Sequence, residues 1–289
     1  MTNNLDSITV DNVVVEALID RAFDEDVQSG DVTTNAIVDK TQQARAVWVA
    51  KEQGIVAGLD VAKQVFEYLD PLVVWEPNVE DGTIVDEGTE IVTLKGRARA
   101  LLTAERIALN IAQRMSGIAT MTQKFVDAVD EYSVEILDTR KTVPGFRQLD
   151  KYAVQAGGGT NHRMGLYDMA MVKDNHIVAA GNITEAVQKI RNSSPEIQVE
   201  VETVTLDQVR EALAAGADVI MLDNMSIEQM NKAVEIIGSR AHTEASGNVT
   251  LDTVKEIAAT GVDYISIGAL THSVKAFDIS QRLTYINNH

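Results

Sequence analysis

From about residue 133 onward, short apolar runs alternate with amphipathic helical segments, and this alternation predicts an α/β protein built on parallel strands. The runs "VEILD", "DMAMVK", "IQVEVE", "DVIMLD", "AHTEAS" and "DYISIG" have the length and composition of strands. Between them, segments such as "ITEAVQKIRN", "LDQVREALAAG", "SIEQMNKAVEIIG" and "TLDTVKEIAATG" repeat apolar residues near period 3.6, and several end at a glycine suited to a helix C-cap. An open doubly wound sheet and a (β/α) barrel both satisfy this pattern. No G-x-G-x-x-G follows the first strand, which counts against a dinucleotide-binding fold.

Residues 1–114 read as a mixed region. "TVDNVVVEALIDRAFDEDV" has helical periodicity. "AIVDKTQQARAVWVAKEQGIVAG" alternates like a strand and runs out at Gly54 and Gly58. "VAKQVFEYLD" is a helix stopped before Pro71, and "VVWEPNVEDGTIVDEGTEIVTLKG" offers strands separated by Asp-Gly and Glu-Gly turns. A long helix is predicted over "TAERIALNIAQRMSGIATMTQKFVDAVD", with Thr103 as its N-cap.

Composition bounds the function. The chain has 289 residues, no cysteine and a formal net charge of −18. Disulfides, thiolate nucleophiles and Cys-ligated zinc are excluded. The acidic balance argues against nucleic acid and anionic membrane as partners. The N-terminal "MTNNLDSITVDNVVVEALID" lacks the basic and apolar regions of a signal peptide, and no apolar run has the length of a membrane helix, so the expected location is cytoplasmic. The histidines 162, 176, 242 and 272 show no metal-ligand spacing, and no zinc site is predicted.

In parallel α/β folds ligands gather at the carboxyl ends of the strands. Here the first strand delivers Asp138-Thr139-Arg140-Lys141 and the second Lys173-Asp174-Asn175-His176. The third carries Glu200 and Glu202, the fourth Asp223-Asn224, the fifth Glu244 and Ser246-Gly247-Asn248, the sixth Ser266 and Gly268. Cations therefore come from the first two strands and carboxylates from the next three. A positive pocket suits carboxylates or phosphates, and an acidic one suits Mg²⁺ or ribose hydroxyls. Each element also has a bland reading: Arg140 and Lys141 as surface charges, glycines 157–159 as a helix end instead of an anion-binding loop beside His162-Arg163, and "SGN" as a plain turn. Glu200 and Glu202 share one face of a strand expected to be apolar, which favours function there. Arg147 and Lys151 fall on the intervening helix and read as structural or solvated.

The stretch "DTRKTVPGFRQLDKYAVQAGGGTNHRMGLYDMAMVKDNHI", with "ERIALNIAQRMSGIAT", "VEVET", "IMLDNMS", "EASGNV" and "YISIGALTHS", resembles the signature of the quinolinate phosphoribosyltransferases, from about residue 100 to 280. Val143 and Phe146 depart from the residues the family often has there, Thr and Leu, and neither is a charged position. The resemblance implies an N-terminal mixed α/β sandwich domain (1–114 with 275–289) and an incomplete, TIM-like (β/α) barrel (115–274), the type II phosphoribosyltransferase architecture. It implies a homodimer or a hexamer (trimer of dimers) whose active site is shared between subunits. It also implies transfer of phosphoribosyl from phosphoribosyl pyrophosphate (PRPP) to quinolinate, with decarboxylation and with Mg²⁺.

By position, the resemblance assigns Arg140, His162, Arg163 and Lys173 to the quinolinate pocket, with Arg106 reaching in from a partner subunit. Thr139, Lys141 and His162 neighbour both substrates. Glu202 and Asp223 engage the ribose hydroxyls and the metal, and with Lys141 form the expected catalytic set. Ser246, Gly247 and Asn248, and Ser266, Ile267, Gly268 and Ala269, form the phosphate-binding turns. Three other readings remain at this stage: a nicotinate phosphoribosyltransferase, a relative tied to molybdenum transport, and a non-catalytic PRPP or nucleotide sensor. The dense Arg/Lys set suits a dicarboxylate better than a monocarboxylate, and a sensor would lack some of the charges that are present here.

Overall fold

The computed structural model describes residues 10–286. Thr9, the first residue of the predicted N-terminal helix, and the first nine residues of the segment read for a leader lie outside that range. In chain order, α1 (Asn12–Asp26), α2 (Val32–Ile37), β1 (Gln43–Ala50), β2 (Gly54–Ile55), α3 (Leu59–Leu69), β3 (Val74–Pro77), β4 (Ile84–Val85) and β5 (Glu90–Arg97) lead into the long helix α4 (Ala98–Ala128). There follow β6 (Glu135–Leu137), α5 (Arg147–Ala156), β7 (Ala170–Val172), α6 (Asp174–Ala180), α7 (Ile183–Ser193), β8 (Val199–Thr203), α8 (Leu206–Ala214) and β9 (Val219–Asp223). The last elements are α9 (Ile227–Ile237), β10 (His242–Ser246), α10 (Val254–Ala258), β11 (Tyr264–Ser266), α11 (Ala269–His272) and β12 (Ile279–Ile286).

Two compact units result. The first takes residues up to 123, 143–158 and 273 onward, and the second takes 124–142 and 159–272. The first unit is built on an antiparallel sheet of order β12-β1-β5-β3. Strand β12 returns to pair with β1, Gln43 opposite Ile286 and Ala50 opposite Ile279. Trp48 on β1 is fully buried, packs edge-on against Trp75 at 5.6 Å and donates its indole N–H to Gln281 Oε1 at 2.8 Å, so its one polar atom is satisfied.

Helix starts in this unit follow from their caps. Asp11 Oδ1 accepts the Val13 N–H and Asp31 Oδ1 the Thr34 N–H, each at 2.9 Å. Helix α3 begins at Gly58, which has no side chain to offer. Asp81 takes that role from a distant turn, accepting the Gly58 and Leu59 N–H groups and the Tyr152 hydroxyl at 2.8, 3.1 and 2.9 Å. Thr103 is not an N-cap. Helix α4 starts at Ala98, directly after β5, because buried Ala98, Leu101 and Ala104 extend the apolar stripe backwards, and the Thr103 hydroxyl instead donates to Asp31 Oδ2 at 3.2 Å.

On α5, Asp150 is fully buried and meets Arg114 through two bonds of 2.8 Å, a forked pair that compensates the desolvated carboxylate. Lys151 is also buried, which makes its role structural. Gly157 closes α5, and a Cβ there would lie 2.3 Å from the Ala119 carbonyl oxygen. That close approach and the helix end account for the glycine at 157 without an anion.

The second unit is a six-stranded parallel sheet of order β6-β11-β10-β9-β8-β7. A doubly wound sheet reverses its order at a switch point. Here β7 to β11 are laid down in sequence and β6 adjoins β11, as ring closure requires. No ladder joins β6 to β7, so the barrel is incomplete, and Thr160 bridges in parallel to Leu137 beside β6. The rising turns at the bottom end in left-handed glycines, Gly216 after α8 and Gly261 after α10. Among the described residues, no helix is long and apolar enough to cross a membrane.

Candidate active site

A cavity of about 310 Å³ lies at the carboxyl ends of these strands, entirely within the second unit. The segment after β6 lines it with Thr139, Arg140 and Lys141, and the segment before β7 with His162 and Arg163. Strand β7 and its end contribute Met171 and Lys173, β8 Glu202, β9 Met221 and Asp223, β10 Glu244 and Ser246, and β11 Ser266. The pairs Met171/Lys173, Met221/Asp223 and Glu244/Ser246 are two residues apart because alternate side chains of a strand face the same way.

His162 is held by several elements. Its backbone N–H donates to the buried Asp138 carboxylate at 2.9 Å. Its ring Nε2 lies 2.9 Å from Glu200 Oε2 and 3.4 Å from Glu244 Oε2. Burial pushes the imidazole pKa down, but the hydrogen bonds and charges of the two carboxylates outweigh it and raise it to about 9. His162 is therefore an imidazolium at neutral pH. Burial in turn pushes Glu200 up, the His162 hydrogen bond pulls it back, and the nearby Glu244 charge adds to the rise.

The other cations stand around this group. Arg163 donates to the Met169 carbonyl at 2.9 Å; burial lowers its pKa and the charge of Arg140 lowers it further. Two like charges that close favour an anion between them. Lys173 Nζ lies 3.9 Å from Glu202 Oε2. Lys141 is placed through its backbone, with the N–H donating to Thr139 Oγ1 at 3.1 Å and the carbonyl accepting from the Thr271 hydroxyl at 3.0 Å.

Glu202 and Asp223 form the acidic side. Burial raises the Glu202 pKa, and the Asp223 charge raises it further. A divalent cation would relieve both effects, and an all-oxygen donor set is what Mg²⁺ takes. Beyond them, Asn224 and Asn248 both adopt left-handed backbone (φ 51°), and Asn248 Nδ2 donates to Asn224 Oδ1 at 3.0 Å. A Cβ on Gly247, at φ 101°, would sit 2.3 Å from that same oxygen, so only glycine lets the two turns touch.

The structure thus brings Thr139, Arg140, Lys141, His162, Arg163, Lys173, Glu202, Asp223, Ser246 and Ser266 around one cavity. Gly247 and Asn248 continue the turn from Ser246, and Ile267, Gly268 and Ala269 continue the one from Ser266, next to the cavity lining. Arg106 is an exposed residue of α4 in the first unit. His176, read as a further strand-end group, accepts the Lys173 N–H through Nδ1 at 3.1 Å. Met171, Met221 and Glu244 line the cavity without having been assigned to the site, and Glu200 lies beneath it. The two methionines were findable as the residues two before Lys173 and Asp223. The convergence of Glu200 and Glu244 on His162 was not, since it joins three elements.

Comparison with known proteins agrees with this geometry. The chain matches the "Quinolinate phosphoribosyl transferase, C-terminal domain" over residues 118–282 and the corresponding N-terminal domain over residues 31–116. It is 46% identical over 279 residues to the "Probable nicotinate-nucleotide pyrophosphorylase (carboxylating)" of Bacillus subtilis, covering 96% of both chains. It is 47% identical to the chloroplastic nicotinate-nucleotide pyrophosphorylase (carboxylating) of Arabidopsis thaliana, covering 93% of this chain and 82% of that protein. The crystal structure of NadC from Streptococcus pyogenes superposes with a TM-score of 0.93 at 42% identity, covering 97% of this chain and 100% of that one. The chain belongs to the quinolinate phosphoribosyl transferase family.

Proposed function

We infer that this chain transfers the phosphoribosyl group of PRPP to the ring nitrogen of quinolinate, releasing nicotinate mononucleotide, pyrophosphate and CO₂, in de novo NAD biosynthesis. The observation that carries the reading is a single cavity with Arg140, Lys141, His162, Arg163 and Lys173 on one side and Glu202 with Asp223 on the other. Quinolinate is a pyridine dicarboxylate, and a pocket for it must offset two negative charges. Arg140, Arg163, Lys173 and the His162 imidazolium supply that charge in a partly desolvated site, where charge-assisted bonds are strongest.

The pyridine nitrogen attacks C1 of the ribose as the bond to pyrophosphate breaks. Positive charge develops on the sugar, and Glu202 and Asp223 are the fixed negative charges on that side of the cavity. Lys141 stands on the cationic side, where it balances the departing pyrophosphate. The turns at 246–248 and 266–269 are assigned to the phosphates, with the Ile267 N–H already donated to the Leu137 carbonyl at 2.9 Å. Glu202 and Asp223 would hold Mg²⁺, which would supply positive charge to offset the pyrophosphate oxygens. Loss of the 2-carboxylate follows because the positive charge on the quaternised ring nitrogen stabilises the electron pair that departing CO₂ leaves on C2, and that carbon then takes a proton. The protein's contribution is mainly positioning and charge balance. The cytoplasm, where PRPP is available, is the fitting location.

Supplied with PRPP and Mg²⁺, the protein is expected to consume quinolinate and leave nicotinate unused. Chromatography of the nucleotide products decides this, and equal turnover of nicotinate would favour a monocarboxylate transferase. Arg106, exposed on α4 and matching the family arginine contributed across subunits, is the reason to propose a shared site in a dimer or hexamer. Arg106→Ala and Arg140→Ala proteins, mixed under conditions of subunit exchange and assayed at quinolinate concentrations too low for either alone to turn over, are expected to regain up to about a quarter of wild-type activity, the share of intact sites in random dimers. No recovery in mixtures shown to exchange would count against sharing.

A further inference from the structure

Glu200 and Glu244 are an expensive feature. The interior of a parallel barrel is ordinarily filled by branched apolar side chains. Here two carboxylates, each no more than 1% exposed, stand in it on strands β8 and β10, with β9 between them. The Oε1 atom of each is buried with no hydrogen-bond partner, and each Oε2 converges on the same ring nitrogen of His162. Carboxyl groups buried in this state must either hold a proton or be balanced by a positive charge, and the His162 ring is placed between them to supply that charge. The ring that supplies it lines the substrate cavity, with a side chain only 8% exposed.

We propose that Glu200 and Glu244 are positioning residues that clasp Nε2–H of His162 from below, fixing the ring as a permanent cation facing the substrate carboxylates. This rests on the quinolinate reading of the cavity. The clasp keeps the acceptor pocket charged over the whole range in which a free histidine would lose its proton. The four carboxylates then have separate roles. Glu202 and Asp223 serve the sugar side, and Glu200 and Glu244 serve the histidine. The other charged groups near His162 are Asp138, which accepts its backbone N–H, and Arg140, Arg163, Lys141, Lys173, Glu202 and Asp223, which line the same cavity.

The test is the pH dependence of the quinolinate KM in the full-length protein, for wild type, Glu244→Gln and Glu200→Gln. Wild type is expected to hold a nearly constant KM up to about pH 8.5. If one amide lowers the ring pKa by about a unit, the variants lose most of the imidazolium there, and KM rises about threefold at pH 8.5 but stays nearly unchanged at pH 6. The PRPP KM is expected to stay within about twofold, and Glu244→Asp, which keeps the charge, to restore the flat profile. A KM defect of equal size at both pH values, or an equal rise for PRPP, would reduce the pair to a structural role and overturn the proposal. NMR titration of the His162 ring provides a readout independent of turnover: near 9 in wild type and clearly lower in Glu244→Gln. If quinolinate proves not to be a substrate, the site reading fails while this titration still decides the clasp. The three ligand atoms lie within 4.8 Å of one another, a spacing that a cation could also fill. One equivalent of zinc in the purified protein, lost in Glu244→Gln, would replace the proton with a metal and contradict the proposal.

Discussion

Arg140→Ala is expected to weaken quinolinate binding by roughly ten- to hundredfold, the equivalent of one lost charge-assisted hydrogen-bonding group in a desolvated pocket. The PRPP affinity is expected to change by less than about threefold, because Lys141 and the turns at 246–248 and 266–269 are untouched. Arg140 is half-buried, and its charge already presses on Arg163, so its removal leaves the pocket with a deficit that no neighbour fills. Calorimetry with each substrate separates the two affinities. Unchanged quinolinate affinity would remove Arg140 from the acceptor pocket.

Asp223→Asn is expected to lower kcat about a hundredfold or more, the usual scale for removing one group that stabilises developing charge. Stability should move little. Asp223 is half-buried at the end of β9, its Oδ1 accepts one bond from Asn224 at 3.1 Å, and the asparagine oxygen can keep that bond. A variant with unchanged melting temperature and full turnover would show that the acidic group lies elsewhere. The substitution also relieves Glu202 of a neighbouring charge, so the Glu202 pKa should fall towards its ordinary value.

Much of this was legible in the sequence because parallel strands expose their chemistry at one end. Six apolar runs ending in polar residues pointed to the cavity, and the period of two within "VEVET" put Glu200 and Glu202 on one inward face, of which Glu202 lines the cavity. What the pattern left open was closure. The choice between an open sheet and a ring depends on β6 lying beside β11, a pairing of residues 135–137 with 264–266 that no local period encodes. The start of α4 was missed for a local reason: a threonine in a helical run resembles a cap, but the apolar stripe continued through Ala98 and Leu101.

The site divides in the same way. Arg140, Lys141, Lys173 and Asp223 follow strands and could be read one at a time. The state of His162 could not. Its charge comes from Glu200 and Glu244, far apart in sequence, and histidine spacing alone pointed to no special environment. The glycines at 157–159 allowed both a helix end and an anion loop beside His162 and Arg163, and Gly157 takes the first reading, closing α5 against the Ala119 backbone.

If one cavity both joins quinolinate to PRPP and decarboxylates it, the two events must be coupled. Release of labelled CO₂ from quinolinate carrying the label in its 2-carboxylate, with PRPP present and absent, reads that coupling. One equivalent of CO₂ is expected per nicotinate mononucleotide formed and none without PRPP, since the ring nitrogen carries the positive charge that stabilises the C2 electron pair only after transfer. Release without PRPP, or nucleotide formation with the label retained, would be incompatible with this chemistry.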